Sequence, residues 1–81
     1  MLSELSAAKK AVGVKQTRRA VRDRLAVRVF LACDADPALT DPIADECEGA
    51  GIPVVRDYAM SQLGRACRIA VRASAVAELA E

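Results

Sequence analysis

Residues 27–33 read Val-Arg-Val-Phe-Leu-Ala-Cys, and this segment decides the class of fold. Its β-branched and aromatic side chains, and the absence of charge from Val29 onward, are typical of a central strand covered on both faces. A second strand is predicted at residues 53–56, and a helix is predicted between the two strands. A strand, helix, strand unit favours parallel pairing, so the sequence predicts an α/β fold.

The other elements follow from capping signals and apolar periodicity. Asp41 and Pro42 predict the start of the third helix, because aspartate is a favoured N-cap and proline is favoured at the first helical position. We place this helix at about residues 42–48, further helices at about residues 4–10, 15–24 and 59–67, and a last strand at about residues 75–77. No repeat or linker interrupts the sequence, so residues 1–81 are expected to form a single domain.

Composition argues against several classes of function. The sequence has no histidine, and Cys33, Cys47 and Cys67 are widely spaced within apolar patterns. This fits reduced core thiols better than a disulfide or zinc framework, and it removes the usual ligands and bases of metal and acid–base sites. We therefore expect no cofactor, no metal site and no catalytic residues. The longest uncharged apolar run, residues 29–33, is too short for a membrane span or a signal segment, so we expect a cytoplasmic protein without a membrane partner.

Charge is unevenly distributed along the sequence. Residues 1–28 hold eight basic and two acidic side chains, a net charge of +6, whereas residues 29–81 hold four basic and nine acidic ones, a net charge of −5. The total of +1 therefore hides a basic pole that would attract phosphate. Phe30 and Tyr58 are the only aromatic residues of the sequence, so recognition by stacking unpaired bases on a row of rings is disfavoured.

The basic pole contains a glycine followed by a helix with two distinct faces. Four cationic side chains recur at i, i+3, i+4 and i+7, which places them on one stripe: Lys15, Arg18, Arg19 and Arg22. The opposite side is predicted to pack inward and gathers Thr17, Ala20, Val21 and Leu25. A helix start after a flexible glycine presents free N–H groups to phosphate, so we predict an RNA-binding edge; the alternative is an ordinary solvated helix face.

Three motifs in order carry a family resemblance. They are Gly13-Val14-Lys15-Gln16-Thr17-Arg18-Arg19-Ala20, then Ala32-Cys33-Asp34-Ala35-Asp36-Pro37, then Leu63-Gly64-Arg65-Ala66-Cys67. With them the chain resembles the kink-turn RNA-binding ribosomal proteins of the L7Ae and L30e family, and it looks closest to the short bacterial members. The resemblance implies a three-layer α/β/α sandwich with a small mixed sheet of about four strands that grips RNA along one edge.

The resemblance also implies the site. In the family, a kink-turn is a duplex bent sharply by a bulge beside tandem sheared G·A pairs, and the glycine-led helix enters the major groove next to those pairs. The residues that match that motif are Gly13, Val14, Lys15, Gln16 and Arg19, and we add Arg18 and Arg22 from the stripe. Lysine and arginine are donors, and guanine presents the O6 and N7 acceptors on its major-groove edge.

Two further segments correspond to places where relatives hold the bulged nucleotides. These are Asp36 and the loop with Ile69, Ala70, Val71, Arg72 and Ala73, in which Ile69 and Val71 would cover a base and Arg72 would meet phosphate. Asp34 and Asp36 together could also be taken for a metal or catalytic pair, and the alternative to that reading, which we favour, is that they are turn and cap residues. For Ile69 and Val71 the alternative to base contact is burial under the last strand. Arg68 stands where many family members have glycine, which affects the expected conformation of the loop.

We therefore predict a monomer that binds structured RNA, above all a kink-turn in ribosomal RNA, and that has no small-molecule substrate. The alternative is a protein-interaction module of the same fold. It would act through the acidic side chains of the third helix, namely Asp41, Asp45, Glu46 and Glu48.

Overall fold

The structure is a computed structural model that describes residues 2–80, apart from the side chain of Ser3. Helices and strands alternate along these residues in the order α1 (Leu2–Ala7), β1 (Lys10–Val12), α2 (Val14–Arg22), β2 (Ala26–Leu31), α3 (Pro37–Ala50), β3 (Val54–Val55), α4 (Met60–Ala66) and β4 (Ala75–Leu79). None of these helices combines the length and the apolar character needed to cross a membrane.

The four strands form one mixed sheet in the order β1-β4-β2-β3. β2 and β3 pair in parallel, as the strand, helix, strand unit predicted, while β4 runs antiparallel to both β1 and β2. Helices α2 and α3 pack together on one face, and α1 and α4 pack together on the other. The α/β class and the three-layer arrangement are therefore as predicted.

Successive residues of β2 divide the core between the two faces of the sheet. Val29 and Leu31 point toward α2 and α3, whereas Phe30 points toward α1 and α4, and all three side chains are fully buried. This is the pattern of a central strand in a sandwich, because side chains alternate between faces with a period of two. The continuous apolar run therefore predicted the layered architecture correctly.

Strand β1 was not predicted, since we extended the first helix to Lys10. In the structure α1 ends at Ala7, and the next residues pair with β4 in a register that sets Val12 opposite Val76. Three half-buried residues carry too little periodicity to identify a strand, and their pairing depends on β4, more than 60 positions away along the chain. Only the tertiary contact makes this segment extended.

Helix α3 begins five residues earlier than predicted. The side chain of Asp36 accepts a hydrogen bond from the Ala38 N–H at 2.9 Å, and Pro37 occupies the first helical position. Pro42 lies inside the helix, where it lacks one intrahelical donor. The sequence contains two Asp-Pro pairs, Asp36-Pro37 and Asp41-Pro42, and we chose the wrong one as the helix start.

The prediction that all three cysteines lie in the core was wrong for one of them. Strand β2 ends at Leu31, so Cys33 lies beyond it and is exposed, whereas Cys47 and Cys67 are buried. Burial raises the pKa of the Cys47 thiol, and the neighbouring Glu46 carboxylate adds to the effect. Burial also raises the pKa of the Cys67 thiol.

These surroundings predict selective thiol chemistry. In the native protein at neutral pH, a maleimide should modify Cys33 first, because thiolate formation at Cys47 and Cys67 is opposed by burial. Mass spectrometry should show one adduct per chain under native conditions and three in denaturant. The Cys33→Ser variant should lose the native adduct, and equal labelling of all three thiols in the folded protein would contradict the assignment.

Candidate nucleic-acid interface

The start of α2 is fixed by Gly13, which links it to strand β1. Gly13 has φ of +109°, its N–H donates to the Ala75 carbonyl at 2.9 Å, and its carbonyl accepts from the Thr17 N–H at 2.9 Å. L-residues rarely adopt this backbone conformation, and a Cβ at this position would lie 2.7 Å from the Gln16 Oε1 atom. Glycine is therefore required at the position where the chain turns sharply from β1 into α2.

Helix α2 has the two faces that the sequence predicted, with one exception. Thr17, Ala20 and Val21 are buried against the sheet and α3. Leu25, which we placed on the same inward side, is 53% exposed because the helix ends at Arg22 and the chain then turns into β2. The packing face is therefore shorter than the periodicity indicated.

The predicted cationic stripe is assembled on the outer face of α2. An open groove of about 550 Å³ is lined by Lys15, Gln16, Arg18, Arg19, Arg22 and Asp23. Lys15, Gln16 and Arg19 are exposed, and they lie in the first turns of the helix next to Gly13. The groove is polar, cationic and open to solvent, which suits an extended polyanion better than a small molecule.

The carboxylate of Glu46 separates the four cations into two pairs. The sequence did not indicate this contact. Glu46 on α3 accepts from Arg18 at 2.9 Å and from Arg22 at 3.2 Å, one arginine on each carboxylate oxygen. Burial by itself raises the pKa of Glu46, but the hydrogen bonds and charges of the two arginines outweigh burial and hold the pKa below its ordinary value. Within residues 2–80, no carboxylate oxygen lies within 4 Å of the charged atoms of Lys15 or Arg19.

The loop between α4 and β4 forms a second part of the interface. A smaller open depression of about 250 Å³ is lined by Ser61, Arg65, Ile69, Ala70, Val71 and Arg72. Ile69 is half-buried against the core, whereas Val71 is 69% exposed, so the alternative that both lie under the last strand is wrong for Val71. The loop therefore offers an exposed apolar side chain flanked by two guanidinium groups.

Gly64 allows this loop to lie directly on α4. It is buried, and a Cβ at this position would collide with the Val71 carbonyl oxygen and lie 3.2 Å from the Arg72 Cα atom. Glycine is the residue that permits such a close approach of backbone to helix. The conformation of the loop thus depends on a residue outside it.

Arg68 lies in a backbone conformation that favours glycine. Its φ is +58°, and the chain leaves α4 through a Schellman motif, in which the Arg68 N–H donates to the Arg65 carbonyl and the Ile69 N–H donates to the Gly64 carbonyl, both at 3.1 Å. A left-handed residue in this motif is most often glycine. Arginine therefore occupies a position that favours glycine, and it places a cation beside the loop.

Asp34 and Asp36 have the structural roles that we considered as the alternative to catalysis. Asp34 accepts from the Met60 N–H at 2.8 Å and caps α4, while Asp36 caps α3. Ala32 directly follows β2, and its N–H donates to the Ser74 carbonyl at 2.9 Å. Asp34 and Asp36 therefore lie at the same end of the sheet as Gly13 and the loop before β4. The structure therefore brings the three predicted segments to one end of the molecule.

The acidic surface predicted on α3 is less extensive than the sequence indicated. Glu46 faces α2, and an Asp41 oxygen lies 3.8 Å from an Arg56 guanidinium nitrogen. Asp45 and Glu48 remain exposed on the helix. Within residues 2–80, no group of three side chains suited to holding a metal ion is present.

Comparisons with known proteins show what the chain is similar to. Residues 2–81 match the sequence model of the ribosomal protein L7Ae/L30e/S12e/Gadd45 family. An RNA-binding protein of Geobacillus sp. (strain WCH70) is 44% identical over 73 residues, which cover 90% of this chain and 89% of that protein. The RNA-binding protein YbxF of Geobacillus stearothermophilus is 40% identical over 75 residues, which cover 93% and 92% of the two chains.

Two solved structures have the same fold. A protein of unknown function from Bacillus halodurans C superposes with a TM-score of 0.89 at 25% identity, over 98% of this chain and 83% of that one. A 15.5 kD RNA-binding protein of Giardia lamblia superposes with a TM-score of 0.88 at 25% identity, over 99% of this chain and 68% of that one. The arrangement of helices around the mixed sheet is therefore shared across distant organisms.

The left-handed backbone of Arg68 predicts a stabilising substitution. Arg68→Gly should raise the free energy of unfolding by about 0.5 to 1 kcal/mol, because glycine has no Cβ penalty in this conformation, although the unfolded chain gains some entropy. Urea denaturation measures the change. Arg65→Gly removes a cation from the same region but places glycine inside α4, so it should lower the free energy of unfolding by about 1 kcal/mol. Equal effects of the two substitutions would contradict the analysis.

Proposed function

The chain belongs to the ribosomal protein L7Ae/L30e/S12e/Gadd45 family, and from this we propose that it is a non-enzymatic RNA-binding protein that recognises kink-turns. The observation that carries the proposal is the pair of exposed cations, Lys15 and Arg19, on the first turns of the helix whose start is fixed by Gly13. Curated relatives named as RNA-binding proteins support the broader statement.

The side chains at the start of α2 suit the edges of guanine. Lys15 and Arg19 are donors without acceptor capacity, and guanine presents O6 and N7 as acceptors in the major groove. Gln16 both donates and accepts, so it can meet the major-groove edge of adenine. We therefore assign base contacts to Lys15, Gln16 and Arg19, with Gly13 and Val14 setting the backbone that presents them.

The shape of the RNA must allow this contact. The major groove of an ordinary A-form duplex is too deep and narrow for side chains to reach the bases. A kink opens the groove on one side, so a helix can enter it beside the sheared G·A pairs. The protein then prefers the kinked conformer and shifts the population toward it by as much as its affinities for the two shapes differ.

The loop before β4 supplies a second contact. Val71 offers an exposed apolar side chain to an unstacked base, Ile69 and Ala70 border it, and Arg72 offers a guanidinium to phosphate. Asp36 uses its Oδ1 atom to cap α3, and because the residue is exposed, its Oδ2 atom can accept a hydrogen bond from a base amino group or a ribose hydroxyl. Both segments lie at the end of the sheet where α2 begins.

The likeness to ribosomal proteins makes ribosomal RNA the target that we propose, with the protein acting as a monomer in the cytoplasm. The decisive experiment compares two RNA duplexes in a fluorescence titration. One carries a kink-turn with tandem G·A pairs, and the other has Watson–Crick pairs at those positions. We expect tight binding to the first and much weaker binding to the second, and equal affinities would refute kink-turn recognition while leaving general RNA binding in place.

Removal of the Lys15 ammonium tests the base contact. Lys15→Ala should weaken binding to the kink-turn duplex by about 1 to 3 kcal/mol if Lys15 donates to a guanine edge. The matched control is Lys9→Ala, because Lys9 is exposed at the opposite end of the sheet, where its carbonyl accepts from the Leu79 N–H. The two variants lose the same charge, so an equal loss of affinity would mean that Lys15 contributes only its charge and makes no base contact.

The loop contact is tested by Val71→Asp. Because Val71 is exposed, the carboxylate should leave the free energy of unfolding within about 0.5 kcal/mol of the original protein. It should weaken kink-turn binding at least tenfold by repelling phosphate at the place proposed for the bulged nucleotide. Leu25→Asp is the control, since Leu25 is also exposed but lies beside Ala80, away from α4. Unchanged affinity in Val71→Asp would remove the loop from the interface.

A further inference from the structure

The four cations of α2 have two kinds of surroundings. Within residues 2–80, Lys15 and Arg19 have no carboxylate oxygen within 4 Å, whereas Arg18 and Arg22, whose side chains are 37% and 62% exposed, each contact the carboxylate of Glu46, at 2.9 Å and 3.2 Å. The side chain of Glu46 is only 25% exposed, and it reaches the stripe from a different helix. Arg18 binds it through two nitrogen atoms, since Nε also lies 3.0 Å from Oε1.

This arrangement removes part of the charge that the stripe would present to RNA. Two guanidinium groups and one carboxylate carry a net charge of +1 in place of +2. A phosphate that approaches Arg18 or Arg22 must share the guanidinium with Glu46 or displace it, and displacement would leave a half-buried carboxylate without its partners. The depressed pKa keeps Glu46 ionised at neutral pH, so the competition is present under ordinary conditions.

We propose that Glu46 is a specificity-determining residue, which limits contacts of Arg18 and Arg22 with the phosphates of ordinary RNA duplexes and so favours targets that also engage Lys15 and Arg19. The inference rests on the proposed RNA-binding function and adds to it an intramolecular competitor for phosphate.

The physical reason is the different source of affinity in the two cases. A regular duplex offers the protein mainly its phosphates, so its affinity depends steeply on how many cations are free to neutralise them. A kinked target adds base edges within reach of the first turns of α2, and these contacts do not depend on Arg18 and Arg22. When Glu46 pairs with these two arginines, the affinity for a regular duplex therefore falls by a larger factor than the affinity for a kinked duplex.

The test is a salt titration of Glu46→Gln against the two RNA duplexes described above. Glutamine preserves the shape of the side chain and can still accept a hydrogen bond, but it releases the charge. The matched control is Glu48→Gln, which makes the same change in net charge at an exposed position of the same helix, where no cation lies within 4 Å among the described residues.

We expect Glu46→Gln to bind the regular duplex more tightly and with a steeper salt dependence. If one or two additional phosphates are neutralised, the affinity should fall between about 50 and about 200 mM salt by an additional factor of about 3 to 12 relative to Glu48→Gln. Binding to the kink-turn duplex should increase less, so the ratio of the two affinities should fall.

Two results would overturn the proposal. One is an identical salt dependence for Glu46→Gln and Glu48→Gln, which would mean that Glu46 only fastens α3 to α2. The other is a selective loss of kink-turn binding, which would mean that Glu46 positions the arginines for that target. If Glu46→Gln does not fold, the triple variant Arg18→Gln, Arg22→Gln, Glu46→Gln serves instead, because it removes the two cations together with the carboxylate that pairs with them. There we expect less than a threefold loss of affinity for the regular duplex, and a threefold or greater loss would overturn the proposal.

The outcome is separable from that of the proposed function. If the original protein binds both duplexes equally, kink-turn recognition fails. The comparison of Glu46→Gln with Glu48→Gln on the regular duplex still measures whether Glu46 restrains the two arginines.

Discussion

The hydrogen bond between the Gly13 N–H and the Ala75 carbonyl holds the start of α2 against the first residue of β4. It lies where β1 ends, and it requires a backbone conformation that glycine adopts readily. Through it, the helix that carries the cationic stripe and the loop that precedes β4 reach the same end of the sheet. The geometry of the candidate interface therefore depends on the pairing of a three-residue edge strand with its neighbour.

Backbone conformation and charge are combined at the ends of two helices. Arg24 lies two residues beyond the end of α2 and Arg68 two residues beyond the end of α4. Each has φ of +58°, and each takes part in the same pair of Schellman hydrogen bonds. Helix α3 ends in the same way with Gly51. An L-residue costs about 1 to 2 kcal/mol in this conformation. The cation of Arg68 lies next to the proposed loop contact. Nothing in the structure explains why position 24 holds an arginine.

Local charge in this protein is set by tertiary pairing as much as by composition. The first 28 residues carry a net charge of +6, yet Glu46 from the acidic part of the chain withdraws two of these cations into ion pairs. The same contact removes Glu46 from the acidic surface of α3, which weakens the alternative of a protein-interaction module. One pair of neighbouring helices thus decides which charges an RNA or protein partner meets.

The sequence by itself determined the layers and the position of the stripe, because residues 29–31 fill both faces of a central strand and a helical period places Lys15 and Arg19 together. Tertiary structure alone decided what depends on partners distant in sequence: the extended conformation of β1, the exposure of Cys33 beyond the strand, and the capture of arginines by Glu46. Local periodicity reports which face of an element is apolar, but it contains no information about the residue that another element brings opposite that face.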